Sequence, residues 1–134
     1  MTVRRLTRTA LNKIVKGHVA DDGFCVIKFY SNTCDLCHNF HDDYEEIARD
    51  TAFKELHFFA FNLADHPTVD YELGFEGVPT IALVEIKRHN GEPILRVCPD
   101  PPDPHPLTFL KKQYVKDFLH RHITTKNHTM EGVF

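Results

Sequence analysis

Cys34 and Cys37 stand two residues apart in the segment "SNTCDLCH" (31–38), and His38 follows at once. Three chemistries use such a spacing: a redox dithiol, a metal site and a covalent haem attachment. A dithiol needs two sulfurs close enough to close a ring, with one of them easily ionised. A zinc site needs four tetrahedral ligands, and Cys34, Cys37, His38 and His41 offer two sulfurs and two imidazoles within eight residues. A c-type haem needs the CxxCH run itself together with an axial ligand.

The elements around the motif decide among these. "FCVIKFY" (24–30) is short and rich in aromatic and β-branched residues, which predicts a buried strand. From Cys34 the period changes: Leu36, Phe40, Tyr44, Ile47 and Ala48 recur at helical spacing, while Asp42, Asp43, Glu45 and Glu46 lie largely off that stripe. The reading is an amphipathic helix to about Asp50. Upstream, Ala10, Leu11, Ile14 and Val15 predict a helix over 7–16, stopped by Gly17. Downstream come a strand at 56–63, a short helix at 64–75 closed by Gly74, and a strand at 80–87. An Asn-Gly hairpin turn in "RHNGEP" then leads to an antiparallel strand at 93–98. The proline-rich segment 99–106 reads as an extended loop, and 107–123 as a helix with Leu110, Tyr114, Val115, Phe118 and Leu119 inward. This order predicts an α/β fold, a three-layer α/β/α sandwich on a mixed sheet. One domain over 1–123 and a tail over 124–134 without apolar period complete the reading.

A strand running into a helix through this motif puts Cys34 at the helix N-terminus and Cys37 one turn inside. The first amides of a helix lack internal partners and carry partial positive charge, so a Cys34 thiolate is favoured there. One cysteine then attacks a disulfide and the other resolves the mixed intermediate.

The run "VIKFYSNTCDLC" (26–37), followed by "GFEGVPTIALVEI" (74–86), resembles the thioredoxin family, with the likeness covering about residues 7–123. The resemblance implies a thioredoxin fold and a catalytic pair Cys34/Cys37. It also implies a cis bond between Val78 and Pro79 beside the dithiol, where backbone groups pair with an extended substrate. Thr33 takes the position where the family usually carries Trp, and this chain has no Trp. Asp35-Leu36 replaces the usual Gly-Pro. A carboxylate at 35 opposes ionisation of Cys34, and Leu36 offers an apolar face to a docking partner. Where the family commonly has a buried acid, six residues before the first cysteine, this chain has Lys28. The family's partner lysine aligns with Ala60. A Lys28 side chain beneath the site favours a Cys37 thiolate; one that snorkels to solvent does nothing. His38, next to Cys37, is either a donor of charge to the dithiol or an exposed helix residue.

The rival chemistries are less well supported. Met1 and Met130 sit at the chain ends and are poor axial ligands, and haem does not explain the Gly-Val-Pro-Thr segment. One helix start does not readily aim four tetrahedral ligands at one point. No cofactor and no metal are therefore expected. The net charge of −3 gives nucleic-acid binding no global support, and the basic start (Arg4, Arg5, Arg8) reads as a solvated face. No run approaches the length of a membrane span, and the start lacks the apolar segment of a secretory signal, so no membrane and a cytoplasmic setting are expected. Cys25 and Cys98 lie inside apolar segments and read as buried small hydrophobes.

Two function classes follow. One is a thiol–disulfide oxidoreductase that takes protein disulfides as substrates and a reductase or other electron donor as partner. The other is a thioredoxin-fold binding or assembly module, for example a virion component, with little redox turnover. Its larger assembly would form through the tail.

Overall fold

Strands rich in aromatic and β-branched residues form the centre of a five-stranded sheet in the computed structural model. The structure describes the backbone of residues 3–19, 22–87 and 92–132, and side chains up to residue 123. The elements in chain order are β1 (Val3–Arg5), α1 (Arg8–Val15), β2 (Gly23–Tyr30), α2 (Asp35–Arg49) and β3 (His57–Asn62). They continue with α3 (Val69–Leu73), β4 (Thr80–Ile86), β5 (Ile94–Val97) and α4 (Lys112–Gly132). The strands lie in the order β1-β3-β2-β4-β5. β2 is parallel to β3, and β3 to β1; β4 runs antiparallel to both β2 and β5.

β2 is flanked by strands on both edges and by helices on both faces, and its residues 25–29 are all buried. Its side chains alternate between faces. Val26 joins Phe58, Ile81 and Leu83 under α2 and α4, where Phe40, Tyr44, Ile47, Val115, Phe118 and Leu119 complete one core. Ile27 and Phe29 join Phe61, Ala82 and Val84 on the other face, packed by Leu11, Ile14 and Val69 from α1 and α3. Two apolar cores separated by one sheet make the expected three layers. A fully buried ring such as Phe40 contributes enough that Phe40→Ala costs about 3–5 kcal/mol.

α2 forms where the apolar period places it. Cys37, Phe40, Tyr44, Ile47 and Ala48 are its buried residues, Asp35 sits in its first turn and Arg49 in its last, each matching the helix dipole. Tyr44 also reaches the sheet: its hydroxyl donates to the Phe59 carbonyl at 2.7 Å and lies 3.3 Å from the Val26 carbonyl.

Four local departures from the sequence reading have physical causes. β1 lies where the sequence reads as a basic start with no strand. Val3 alone is buried, and pairing with β3 (Val3↔Phe58, Arg5↔Ala60) makes this edge strand despite the lack of apolar alternation. The helix expected over 64–75 splits into a 3-10 turn at Leu63–Asp65 and the short α3, which Gly74 ends in the left-handed conformation. The last helix starts at Lys112 rather than 107, because His105 and Phe109 pair backbone to backbone and Phe109 has φ of 62°, incompatible with a helix. It then stays helical to Gly132, since loss of an apolar period is no stop signal and neither Gly nor Pro intervenes. The expected Asn-Gly turn falls on residues 88–91, outside the described residues.

Candidate active site

The chain leaves β2 at Tyr30, turns through Ser31–Thr33 and enters α2 with Cys34 as the N-cap. Cys34 is extended (φ −93°, ψ 106°), and its Sγ accepts the Cys37 backbone N–H at 3.0 Å. A sulfur thus takes the place that Ser or Asp usually holds at a helix start. Cys34 and Cys37 form a disulfide, with Cα atoms 5.2 Å apart. Cys34 is half-buried and Cys37 buried, so one sulfur is reachable from outside while its neighbour sits behind it.

The turn is tied down by polar contacts. The Thr33 N–H donates to Ser31 Oγ at 3.4 Å, and the two hydroxyls lie 3.2 Å apart. Asn62, at the end of β3, donates to the Asn32 side chain at 3.2 Å. His38 is exposed, and its Nε2 lies 2.8 Å from the Asn32 carbonyl. A carbonyl only accepts, so that nitrogen carries the hydrogen, and the imidazole is a clasp between turn and helix. Asp35 is exposed in the first turn and Leu36 is half-buried. One turn along, Asn39 donates to the Leu107 carbonyl at 2.7 Å and holds the proline-rich loop against α2.

The Val78–Pro79 peptide bond is cis. Phe29 and Thr80 are register partners on β2 and β4, so Val78–Pro79 and the cysteine turn leave the sheet at the same end. Val78 is half-buried, Pro79 is buried, and Thr80 Oγ1 donates to the Gly77 carbonyl at 2.8 Å.

Lys28 does not snorkel to solvent. It is only 5% exposed and lies on the α2 side of the sheet, with Nζ 5.0 Å from the Tyr44 ring centre and 5.5 Å from that of Tyr30. Burial lowers its pKa from the ordinary lysine range, and the Glu45 carboxylate works in the opposite direction. Lys28 and Ala60 are register partners, so the two positions that the resemblance pairs as acid and lysine stand side by side as lysine and alanine. A cavity of about 310 Å³ opens beneath the disulfide, lined by Lys28 and Cys37 among others.

The sequence does not reveal that Arg5, His41 and Glu45 line this cavity: there His41 reads only as a zinc ligand, Arg5 as part of a solvated face and Glu45 as a residue off the apolar stripe. Cys37, His41 and Glu45 are spaced by four and share one helix face, a signal present in the sequence but masked by the stronger apolar stripe. Arg5 had no such signal, because its strand was not legible.

Cys25 and Cys98 are free and buried, as their apolar settings suggested. Desolvation pushes their thiols up to about 11 and about 12, so neither ionises near neutral pH. Among the described residues no three His, Cys, Asp or Glu side chains are grouped to hold a metal ion, and no helix is long and apolar enough to cross a membrane.

A mixed five-stranded sheet with a dithiol at the tip of the helix after its central strand defines the thioredoxin fold class. The thioredoxin family model matches residues 2–93, and the chain belongs to that family. Among solved structures it is similar to the Trx4 domain of ERdj5, at 17% identity and a TM-score of 0.72, over 93% of this chain and 98% of that one. It is also similar to a thioredoxin from Malassezia sympodialis (20% identity, TM-score 0.56, 71% of this chain and 78% of that one). A third likeness is to spinach chloroplast thioredoxin f (22% identity, TM-score 0.53, 69% and 76%). Likenesses at such identities concern the fold alone. No curated protein matches the chain.

Proposed function

We propose that this protein is a thiol–disulfide oxidoreductase that reduces or exchanges disulfides of other proteins through Cys34 and Cys37. The observation that carries the reading is the disulfide itself, set on the N-terminus of α2 with its outer sulfur reachable and its inner sulfur buried. In the reduced protein, the unpaired amides and dipole of α2 favour a Cys34 thiolate. That thiolate attacks one sulfur of a substrate disulfide. The Cys34–substrate bond forms, the substrate S–S bond breaks, and the departing sulfur takes the electron pair and then a proton. Cys37 next attacks the Cys34 sulfur, losing its own proton; the Cys34–Cys37 bond forms and the second substrate sulfur leaves reduced. An external dithiol donor, such as a reductase, returns the protein disulfide to the dithiol.

Around this pair, Val78, Pro79 and Thr33 form the rim where an extended substrate docks. Asp35 moderates Cys34, and Lys28 favours the Cys37 thiolate from below. His38 contributes by fixing the turn that aims Cys34. The reading goes with a reducing setting such as the cytoplasm, where a donor keeps the dithiol available.

The test mixes wild type, Cys34→Ser and Cys37→Ser with a disulfide-bonded protein such as insulin and dithiothreitol. The expected result is turnover by wild type, background rate with Cys34→Ser, and a trapped mixed disulfide with Cys37→Ser. Equal background rates in all three would remove the enzyme and leave a thioredoxin-fold binding module.

A further inference from the structure

We propose that Glu45 is a positioning residue for the Cys37 half of the dithiol: it lines, with Lys28, the cavity beneath the disulfide and balances the Lys28 ammonium whose charge favours a Cys37 thiolate. This rests on the dithiol reading above and extends it to a residue that neither the motif nor the family resemblance marks.

The role follows from the placement of the side chains. Cys37, Lys28 and Glu45 line the same cavity. Cys37 and Glu45 are eight residues apart on α2, hence on one face two turns from each other, and strand parity turns Lys28 toward that face from below. Lys28 has no hydrogen-bond partner among the described residues, only the rings of Tyr44 and Tyr30. A buried ammonium so placed is costly unless an opposite charge faces it. Among the described residues Glu45 is the one acid lining the cavity. It is also the link to water: its side chain is 26% exposed and pairs outward with Arg49 at 3.8 Å. In the arrangement that the resemblance implies, an acid sits on the central strand and a lysine on the next. Here the lysine takes the strand and the acid lies on the helix, so the polarity is inverted and the pair is kept.

The other ionisable groups around Lys28 do not replace Glu45. Tyr44 is held protonated by burial and gives its hydrogen to Phe59. His38 has its Nε2–H committed to Asn32. Arg5 lines the cavity as a fixed cation and, with Tyr30 and exposed His41, offers no anion. In the resolving step the Lys28 ammonium stabilises the Cys37 thiolate that attacks the Cys34 sulfur, and the Cys37 proton leaves to water. The Glu45 carboxylate, lining the same cavity, balances that ammonium and keeps it charged. Burial draws Lys28 toward the neutral form and Glu45 works against that shift.

The experiment follows Lys28 Cε and Cys37 Cβ by ¹³C NMR titration of the reduced protein, which needs no substrate. Wild type is compared with Glu45→Gln, Glu45→Asp, Lys28→Met and the Lys28→Met/Glu45→Gln double variant. In Glu45→Gln the Lys28 titration moves to lower pH by about half a unit or more, and the Cys37 titration moves up because its ammonium partner is lost. Glu45→Asp restores most of both shifts, and in the Lys28→Met background Glu45→Gln no longer moves Cys37. Single-turnover resolution of a mixed disulfide slows roughly three- to tenfold in Glu45→Gln, with its pH profile displaced in step with Lys28. A Lys28 titration unmoved by Glu45→Gln, a Cys37 shift of equal size with and without Lys28, or an unchanged resolution profile overturns the proposal. Failure of the dithiol reading shows separately, as a wild type no faster than Cys34→Ser.

Discussion

The four cysteines fall into two pairs with opposite surroundings. Cys34 caps a helix, its sulfur takes an N–H from the first turn, and it is joined to Cys37. Cys25 lies in the middle of the sheet on β2 and Cys98 just beyond β5. Both are buried among apolar side chains with thiols pushed up to about 11 and about 12. The side-chain chemistry is identical; what differs is the number of unpaired amides within reach and the amount of water removed. Reactivity is thus a property of the address. A count of cysteines says nothing about it, whereas the position of each relative to helix and strand says most of it.

Substitution by serine gives the sharpest contrast. Cys34→Ser is expected to bring protein-disulfide reduction down to background, whereas Cys25→Ser and Cys98→Ser keep the wild-type rate per folded molecule. The latter two should instead lose about 1–3 kcal/mol of stability, because each buries a hydroxyl in an apolar site. Urea unfolding beside the turnover assay checks both halves, and a Cys98→Ser variant that is stable yet inactive would break the comparison.

Alkaline stability sharpens it further. A buried thiol that keeps its proton to about pH 11 in the fold, but releases it near its ordinary value of 9.0 when unfolded, leaves the unfolded chain with fewer bound protons between those values. Stability then falls as pH rises through that window. For Cys25 the loss amounts to about 2–3 kcal/mol by pH 11. Cys25→Val should flatten the fall, and denaturant midpoints measured from pH 8 to 11 give the slope. Lys28 slopes the other way. Its lowered pKa means that the unfolded chain binds the extra proton below the ordinary lysine range, so its own contribution rises with pH there. The comparison is therefore made between variants that all keep Lys28.

The smallest effect concerns the helix tip itself. Asp35 sits in the first turn of α2, where a carboxylate favours the helix but opposes a Cys34 thiolate. Asp35→Asn should raise the rate of Cys34 alkylation by iodoacetamide at neutral pH about two- to fivefold, at a cost of about 0.3–1 kcal/mol in stability. An unchanged alkylation rate would show that the tip is governed by the amides alone.

Much of the fold is legible in the order of residues alone. The run ending at Tyr30 and the stripe Phe40–Tyr44–Ile47 are strong period signals, because β2 and α2 are buried by their own side chains. The switch of period at Cys34 locates the dithiol. β1 is not legible because an edge strand with one buried residue has no alternation to read; its partner β3 makes it a strand. The start of α4 is hidden by a backbone pairing between His105 and Phe109 that no propensity encodes. At the site, Cys34, Cys37 and Pro79 stand out by their motifs. The burial of Lys28 and the placement of Glu45 depend on which face each presents, and that needs the register of three strands and the phase of one helix.

The alternation of β2 also constrains how this chain can change. Lys28 points into the side of the sheet that holds the cavity lined by Glu45, while its neighbours Ile27 and Phe29 pack on the other side beneath α1 and α3. Sliding the strand by a single residue would drive an amine into Leu11 and Phe75 and leave a phenyl ring above the glutamate. The charged residue therefore works as a key that admits one alignment only, so a change of chain length before β2 leaves the sulfurs on their mark.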